Sequence, residues 1–156
     1  MAHGRRPVLR PRADPALNLH ASCVAIDEAG LLILGASGRG KSSLALQLMA
    51  LGAGLVADDR TDLWPVSTPN GPVLVADAPD VLRGRIEARG LGLLRAAAIG
   101  PCIVTLIVDL DTSETDRLPP DRKMGLLDVE LPVLHMVDSP AFPAAILQYL
   151  KGGRHA

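Results

Sequence analysis

Gly35-Ala36-Ser37-Gly38-Arg39-Gly40-Lys41-Ser42 is the stretch that decides the fold of this chain. It matches the pattern G-x-x-x-x-G-K-[ST], in which glycines let successive backbone N–H groups point inward at phosphate oxygens. Lys41 supplies a cation for the β- and γ-phosphates, and the Ser42 hydroxyl can ligate Mg²⁺. The stretch therefore predicts a nucleotide-binding loop of residues 35–43, with Ser43 at the start of the helix that follows.

The residues on either side of this loop support the same interpretation. Residues 31–34 are a short apolar run typical of a buried strand. Residues 43–51 are rich in strong helix formers, and Gly52 follows as a helix C-cap. Strand, glycine loop and helix form the arrangement that the motif requires, and the positive end of the helix adds to the attraction for phosphate.

Length and composition limit the classes of protein that the chain can belong to. With 156 residues, 48% of them hydrophobic, it predicts one globular domain. The net charge of −1 excludes a strong field for nucleic acid, and three aromatic residues (one Phe, one Trp, one Tyr) exclude a base-stacking platform. No apolar run reaches the roughly 18 residues of a transmembrane helix.

The termini and the cysteines point to a cytoplasmic protein. Residues 1–16 are rich in Arg and Pro and predict a flexible basic arm, without the apolar segment of a secretory signal. Residues 17–151 then form the folded domain. Cys23 and Cys102 both lie in apolar runs, which predicts small buried thiols in a reducing compartment.

The rest of the chain predicts an α/β fold with a mixed sheet. Strands are expected at 19–26, 54–57, 62–66, 72–76 and 101–110, with one or two edge strands within 126–137. The run 101–110 is nearly continuous Ile, Val and Leu, so we expect it to be central and covered on both faces. A hairpin turn is expected at 27–30, with Gly30 in a special backbone conformation, and a helical turn at 79–83. The last helix is expected to begin with Ser139 as N-cap and Pro140 at its first position.

Three further groups of residues supply the chemistry that a nucleotide site needs. Asp58 and Asp59 end the strand 54–57, where acids open into the ligand crevice of an α/β sheet. Because neighbouring side chains of a strand face opposite ways, one of them can ligate Mg²⁺ or accept a proton while the other orients a neighbour. His20 lies at the end of its hairpin nearest the loop. Glu87, followed by Arg89-Gly90-Leu91-Gly92, is a weaker signal.

Together these stretches resemble the catalytic domain of HPr kinase/phosphorylase, a bifunctional enzyme acting on a serine of the phosphocarrier HPr. The resemblance is carried by His20-Ala21-Ser22-Cys23-Val24, residues 35–42, Leu55-Val56-Ala57-Asp58-Asp59 and Glu87-Ala88-Arg89-Gly90-Leu91-Gly92. It implies a compact mixed α/β sheet related to phosphoenolpyruvate carboxykinases, with ATP and Mg²⁺ as cofactors. It also implies a role in phosphotransferase-system signalling.

The resemblance also implies a role for each matched residue. Residues 35–42 would bind the ATP phosphates, with Ser42 on Mg²⁺, and Asp58 would be the acid/base that takes the serine proton. Asp59 and His20 would arrange it, and Glu87 would be a metal-binding acid. Arg89, Gly90 and Gly92 would lie in the signature beside the site.

The chain also departs from this family. Full-length members carry a further N-terminal domain and form hexamers, so the chain resembles the short proteobacterial forms, and its assembly is left open between monomer and homo-oligomer. The family's later P-V-R-P-G-R-N segment corresponds to residues 132–138 here, without its arginines. Arginines neutralise transferring phosphoryl charge, and only Arg117, Arg122 and Lys123 offer substitutes.

Three functions fit these patterns. The first is a serine kinase of HPr or a nitrogen-branch relative. The second is a small-molecule kinase, which would use Lys41, Ser42 and Asp58 equally well. The third is a module that binds ATP without transferring phosphate, which the missing arginines favour.

Overall fold

A nine-stranded mixed sheet with two helices positions the residues of interest, in a computed structural model that describes residues 16–155. The predicted arm lies outside these residues, except for its last residue. In chain order the strands are β1 (Leu17–Leu19), β2 (Ala21–Ile26), β3 (Ala29–Leu34), β4 (Gly54–Ala57), β5 (Thr61–Thr68), β6 (Gly71–Asp77), β7 (Arg85–Ala88), β8 (Gly92–Arg95), β9 (Cys102–Ser113), β10 (Lys123–Leu126) and β11 (Val129–Met136). The helices are α1 (Lys41–Ala50) and α2 (Phe142–Gly152), and one 3₁₀ turn covers Asp80–Leu82.

The long strand β9 is the centre of the sheet, as its apolar run predicted. The strand order is β1-β5-β6-β9-β3-β2-β4, β11 also pairs with β9, and β10 pairs with β11. Strands β3 and β11 run parallel to β9, and the other pairs are antiparallel. The carboxyl ends of β3, β9 and β11 therefore meet at one edge. Strands β7 and β8 form a separate two-stranded ribbon.

Both faces of β9 are covered, because its side chains alternate between two buried clusters. Leu106 and Val108 belong to the cluster that includes the apolar stripes of α1 and α2. Val104 and Ile107 belong to the cluster on the other face, with Leu32 and side chains of the outer strands. The Sγ atoms of Cys23 and Cys102 lie 3.8 Å apart in this second cluster, and both thiols are free and buried as predicted.

The hairpin between β2 and β3 differs from the prediction in its turn. Asp27 and Glu28 form it, with φ of 48° and 70°. These positive values fit the two-residue primed turn whose twist matches that of the flanking strands. Gly30 lies in β3, and its missing side chain serves packing: a Cβ there would lie 2.5 Å from the carbonyl oxygen of Ile103.

The C-terminal region differs in two further details. The predicted start of the last helix is wrong by two residues, because α2 begins after Ala141 and has Pro143 in its first turn. Ser139 instead accepts a hydrogen bond from the Ala141 N–H through its hydroxyl oxygen. Strand β11 is interior, between β9 and β10, so of these last two strands β10 alone lies at an edge of the sheet. Within residues 16–155 the longest helix has 11 residues, too few to cross a bilayer.

Candidate active site

The glycine loop 35–42 joins β3 to α1, as the motif predicted. Gly38 and Gly40 have φ of 85° and 93°, in the left-handed region that glycine adopts without a Cβ penalty. A Cβ at either position would meet no atom of residues 16–155 within 4 Å, so both backbones are free of close packing against this part of the chain. The loop can therefore present its backbone to a ligand, and backbone conformation is the reason for glycine at these two positions.

Helix α1 begins directly at Lys41 with its positive end uncompensated. Gly40 makes no side-chain cap, and no acidic residue lies in the first turn. The first N–H groups of a helix have no intrahelical partner, so those of Lys41, Ser42 and Ser43 are open to an anion. The Lys41 amine donates hydrogen bonds to the carbonyl oxygens of Gly35, at 2.5 Å, and Ala36, at 3.1 Å. This 7%-exposed cation is thus held against the loop.

Asp58, directly after β4, ties three elements together. Its Oδ1 accepts hydrogen bonds from the Ser22 hydroxyl of β2, at 2.6 Å, and from the Ser42 hydroxyl of α1, at 2.7 Å. Its Oδ2 accepts from the Glu87 N–H of β7 at 3.0 Å. The residue is 4% exposed. Asp58 is therefore a buried acceptor adjacent to the serine of the glycine loop, and both of its oxygens are engaged.

Asp59, in contrast to the buried Asp58, lies in an exposed environment. Its φ of 66° turns the chain out of the strand direction, into a conformation that Asp tolerates better than most residues. Its carboxylate lies 3.0 Å from the His20 Nε2, and the Asp59 side chain is 63% exposed. His20 precedes β2, whose first residue pairs with Leu34 at the start of the loop, as the hairpin predicted. The two aspartates thus occupy different environments, and the exposed one is Asp59.

An open cleft of about 310 Å³ collects most of the residues singled out from the sequence. Its walls are formed by His20, Ser37, Gly38, Gly40, Lys41, Ser42, Ser43, Asp59, Glu87 and Arg89. Glu87 and Arg89 come from the β7–β8 ribbon, whose Glu87 backbone is bonded to Asp58. Gly90 and Gly92 instead form the bend of the ribbon, with φ of 87° and 118°. Among the residues that the structure describes, Arg89 is the one arginine in the cleft wall.

Two residues that the sequence analysis did not assign support the loop from behind. Asp111, near the end of β9, accepts the Ala36 N–H at 3.0 and 3.1 Å and pairs with the Arg39 guanidinium at 3.4 Å. Ser22 donates to Asp58 from inside β2. An acid at the end of a predicted central strand was the available signal for Asp111, and a hydroxyl in an otherwise apolar strand was the signal for Ser22.

The loop that carries Arg117, Arg122 and Lys123 was expected to supply substitute cations, but these residues do not line the cleft. Arg122 donates from Nε and Nη2 to the two carboxylate oxygens of Glu114, at 3.0 and 2.9 Å. Neither it nor Arg117 nor Lys123 lines the cleft. The Arg122 charge is therefore used to hold loop 114–122 to the end of β9.

This ion pair predicts a pH dependence of stability. The Arg122 hydrogen bonds hold the pKa of Glu114 at about 2, below its usual 4.5. A depressed folded-state pKa stabilises the fold above about pH 4.5, and this contribution is lost as the pH falls toward 2. The gap in the free energy of unfolding between wild type and Arg122→Gln should therefore be largest at pH 7 and close toward pH 2.

Urea denaturation at a series of pH values measures that gap. Arg117→Gln is the matched control, since this exposed arginine makes no ion pair within the described chain, and its gap should stay near zero throughout. A gap for Arg122→Gln that is the same at pH 7 and pH 2 would contradict the assignment.

The fold and the cleft together define a class of protein: a mixed-sheet α/β domain with a G-x-x-x-x-G-K-S loop and two aspartates at the neighbouring strand end. Residues 13–137 match the family model described as HPr Serine kinase C-terminal domain. The chain belongs to this family.

Relatives and a solved structure agree with that assignment. The chain is similar to the HPr kinase/phosphorylase of Geobacillus thermodenitrificans, with 32% identity over 151 residues that cover 89% of this chain and 48% of that protein. It is 34% identical to the one of Caldicellulosiruptor bescii over 146 residues, 85% of this chain and 46% of that protein. The structure of the Hpr(Ser) kinase/phosphatase from Coxiella burnetii superimposes with a TM-score of 0.71 and 27% identity, covering 86% of this chain and 88% of the other. The chain thus spans about half the length of the curated relatives it matches.

Proposed function

We propose that this chain is the catalytic domain of an ATP-dependent protein-serine kinase that acts on an HPr-type phosphocarrier protein. The observation that carries the proposal is the arrangement around Asp58, which accepts hydrogen bonds from the loop serine, Ser42, and from the ribbon that presents Glu87 to the same cleft. The likeness to HPr kinase/phosphorylases supports the acceptor class. Such an enzyme would act in the cytoplasm and regulate phosphotransferase-system signalling.

The glycine loop would bind the triphosphate of ATP. Lys41 and Ser42 line the cleft, and the open N–H groups at the start of α1 together with the Lys41 ammonium would offset the charge of the β- and γ-phosphates. Asp111 would keep the start of the loop in this conformation through its bond to the Ala36 N–H.

The residues present also fit a magnesium ion. Mg²⁺ prefers one or two carboxylates and a hydroxyl together with substrate phosphates. Ser42 and Glu87 line the same cleft, so these two side chains would hold the ion with ATP. Asp58, which accepts a hydrogen bond from the Ser42 hydroxyl at 2.7 Å, would orient that hydroxyl. Within residues 16–155, no three His, Cys, Asp or Glu side chains form a group that could hold a metal ion. When bound, Mg²⁺ supplies charge neutralisation at the phosphates.

We assign the proton acceptor to Asp59, whereas the family resemblance implied Asp58. Both oxygens of Asp58 are already hydrogen-bonded in a buried position, while Asp59 is exposed to the cleft and held by His20. In the reaction, the acceptor serine oxygen forms a bond to the γ-phosphorus as the bond to the β–γ bridging oxygen breaks. ADP leaves with that electron pair, and the serine proton passes to the Asp59 carboxylate. Arg89 stands where it can offset charge on the transferring group.

A transfer assay tests the function. Purified chain, ATP labelled in its γ-phosphate, Mg²⁺ and HPr from the same cell should give labelled phosphoserine on HPr, and chelation of Mg²⁺ should abolish the label. Lys41→Met is the control for a contaminating kinase. ATP binding without label on any HPr-type acceptor would refute the kinase proposal, and adding inorganic phosphate to phosphorylated HPr tests the reverse direction.

A further inference from the structure

A second cavity opens on the far side of the glycine loop. It has a volume of about 190 Å³ and shares Gly40 and Ser43 with the cleft. The two spaces therefore meet at the N-terminus of α1. A ligand held over the N-terminus of α1 is therefore adjacent to both spaces.

The topology of the sheet places this second cavity at a ligand-binding edge. Strands β3, β9 and β11 are parallel neighbours, so their carboxyl ends share one edge. The glycine loop follows β3, and residues 137–139, which line the second cavity, follow β11. Ligands of open α/β sheets bind in the crevice outside such carboxyl ends.

The walls of the second cavity suit a flat apolar group with hydrogen-bonding edges. Leu110 and Phe142, 5% and 8% exposed, and Met136 form an apolar wall. The side chains of Gln47 and Asp138 lie at the exposed rim, and neither makes a hydrogen bond within residues 16–155. These rim groups can therefore donate to and accept from a ligand.

The charge in the second cavity argues against a second phosphate site. Among residues 16–155, the one cation that lines it is Arg39, which is already paired with Asp111 at 3.4 Å, and Asp138 adds an acid that has no ion pair within these residues. A phosphate would meet no net positive charge here. The phosphate-binding features all lie on the other side of the loop, at Lys41 and Ser42.

We infer that the second cavity binds the nucleoside of the triphosphate whose phosphates occupy the cleft. The base would pack on Met136 and Phe142, and Gln47 and Asp138 would take its polar edge or the ribose hydroxyls. This inference rests on the proposed function, because it needs a nucleotide on the glycine loop. It assigns a position to the base and ribose of ATP, about which the loop motif gives no information.

Calorimetry with two ligands tests the inference, since Mg-tripolyphosphate reports on the cleft alone and Mg-ATP reports on both spaces. Val137, 42% exposed at the cavity rim, can be changed to Trp to obstruct the entrance. Val137→Trp should weaken Mg-ATP by about tenfold or more and leave Mg-tripolyphosphate unchanged. Gln47→Ala, on the exposed face of α1, should weaken Mg-ATP in the same selective way.

Val81→Trp is the matched control, because it makes the same change at a 77% exposed position outside both spaces, and it should alter neither affinity. Equal affinity of wild type for the two ligands, or equal weakening of both by Val137→Trp, would overturn the nucleoside site while leaving the kinase proposal intact. Failure of wild type to bind either ligand would overturn the kinase proposal, and this inference with it.

Discussion

Replacing Asp59 with asparagine is expected to lower phosphoryl transfer to an HPr-type acceptor by about 10²- to 10⁴-fold, the usual contribution of a general base. Asparagine keeps the size of the side chain, tolerates the left-handed backbone of this position, and can still hydrogen-bond His20. The negative charge is lost, and with it the ability to take a proton. Calorimetry should therefore find Mg-ATP binding near the wild-type value, and urea denaturation should find unchanged stability.

Asp58→Asn is the matched variant, and unlike Asp59→Asn it should lower both stability and Mg-ATP binding. Three donors converge on Asp58, from Ser22, Ser42 and the Glu87 N–H. An amide offers one oxygen, so its NH₂ group must face one of these donors and leave it buried without an acceptor. This costs about 1–3 kcal/mol of stability. Mg-ATP binding should weaken as well, because the Ser42 hydroxyl no longer has a carboxylate as its acceptor.

The pair of variants separates two assignments of the proton acceptor. Asp58 would be the proton acceptor if two results were found together. Asp59→Asn would transfer phosphate normally, and Asp58→Asn would fold and bind Mg-ATP but transfer no phosphate. Loss of transfer in Asp59→Asn with stability and binding preserved supports the assignment made from the geometry.

Local patterns were sufficient to predict the parts of the site that are close in sequence. The glycine loop, its flanking strand and helix, and the strand 54–57 that ends in two aspartates all have short-range signals and are found where predicted. The position of His20 also followed from a hairpin, because the register of two consecutive strands fixes which residues share an end.

Contacts between distant segments could not be predicted in the same way. The different environments of Asp58 and Asp59 depend on Ser22 and Glu87, which are 36 and 29 residues away along the chain from Asp58. The parallel pairing of β11 with β9 has no local signal either, so residues 137–139 could not be placed beside the glycine loop. The prediction for one turn residue was wrong. Gly30, which follows Asp27 and Glu28, was expected to have a special backbone angle, but it allows close packing instead.

That packing predicts a large loss of stability for Gly30→Ala. The new Cβ would lie 2.5 Å from the carbonyl oxygen of Ile103 and 2.8 Å from the Cys102 Sγ, and a backbone oxygen in the central strand cannot move aside. Forcing an extra methyl group into a packed core typically costs about 1–3 kcal/mol. Urea denaturation should therefore give a clearly lower midpoint with an unchanged slope.

Two other strand glycines provide a graded control for this argument. At Gly54 the three atoms nearest to a Cβ all belong to the Ile99 side chain, the closest at 2.5 Å, and this side chain can shift more easily than a backbone oxygen because Ile99 is 42% exposed. At Gly125 it would meet no atom of the described residues within 4 Å. Alanine should therefore cost most at Gly30, less at Gly54 and nothing at Gly125, where the reduced freedom of the unfolded chain can even add about 0.4–1 kcal/mol. Equal losses of stability at all three positions would contradict this explanation. They would mean that Gly30 is required for a reason common to strand glycines and not for its contact with Ile103.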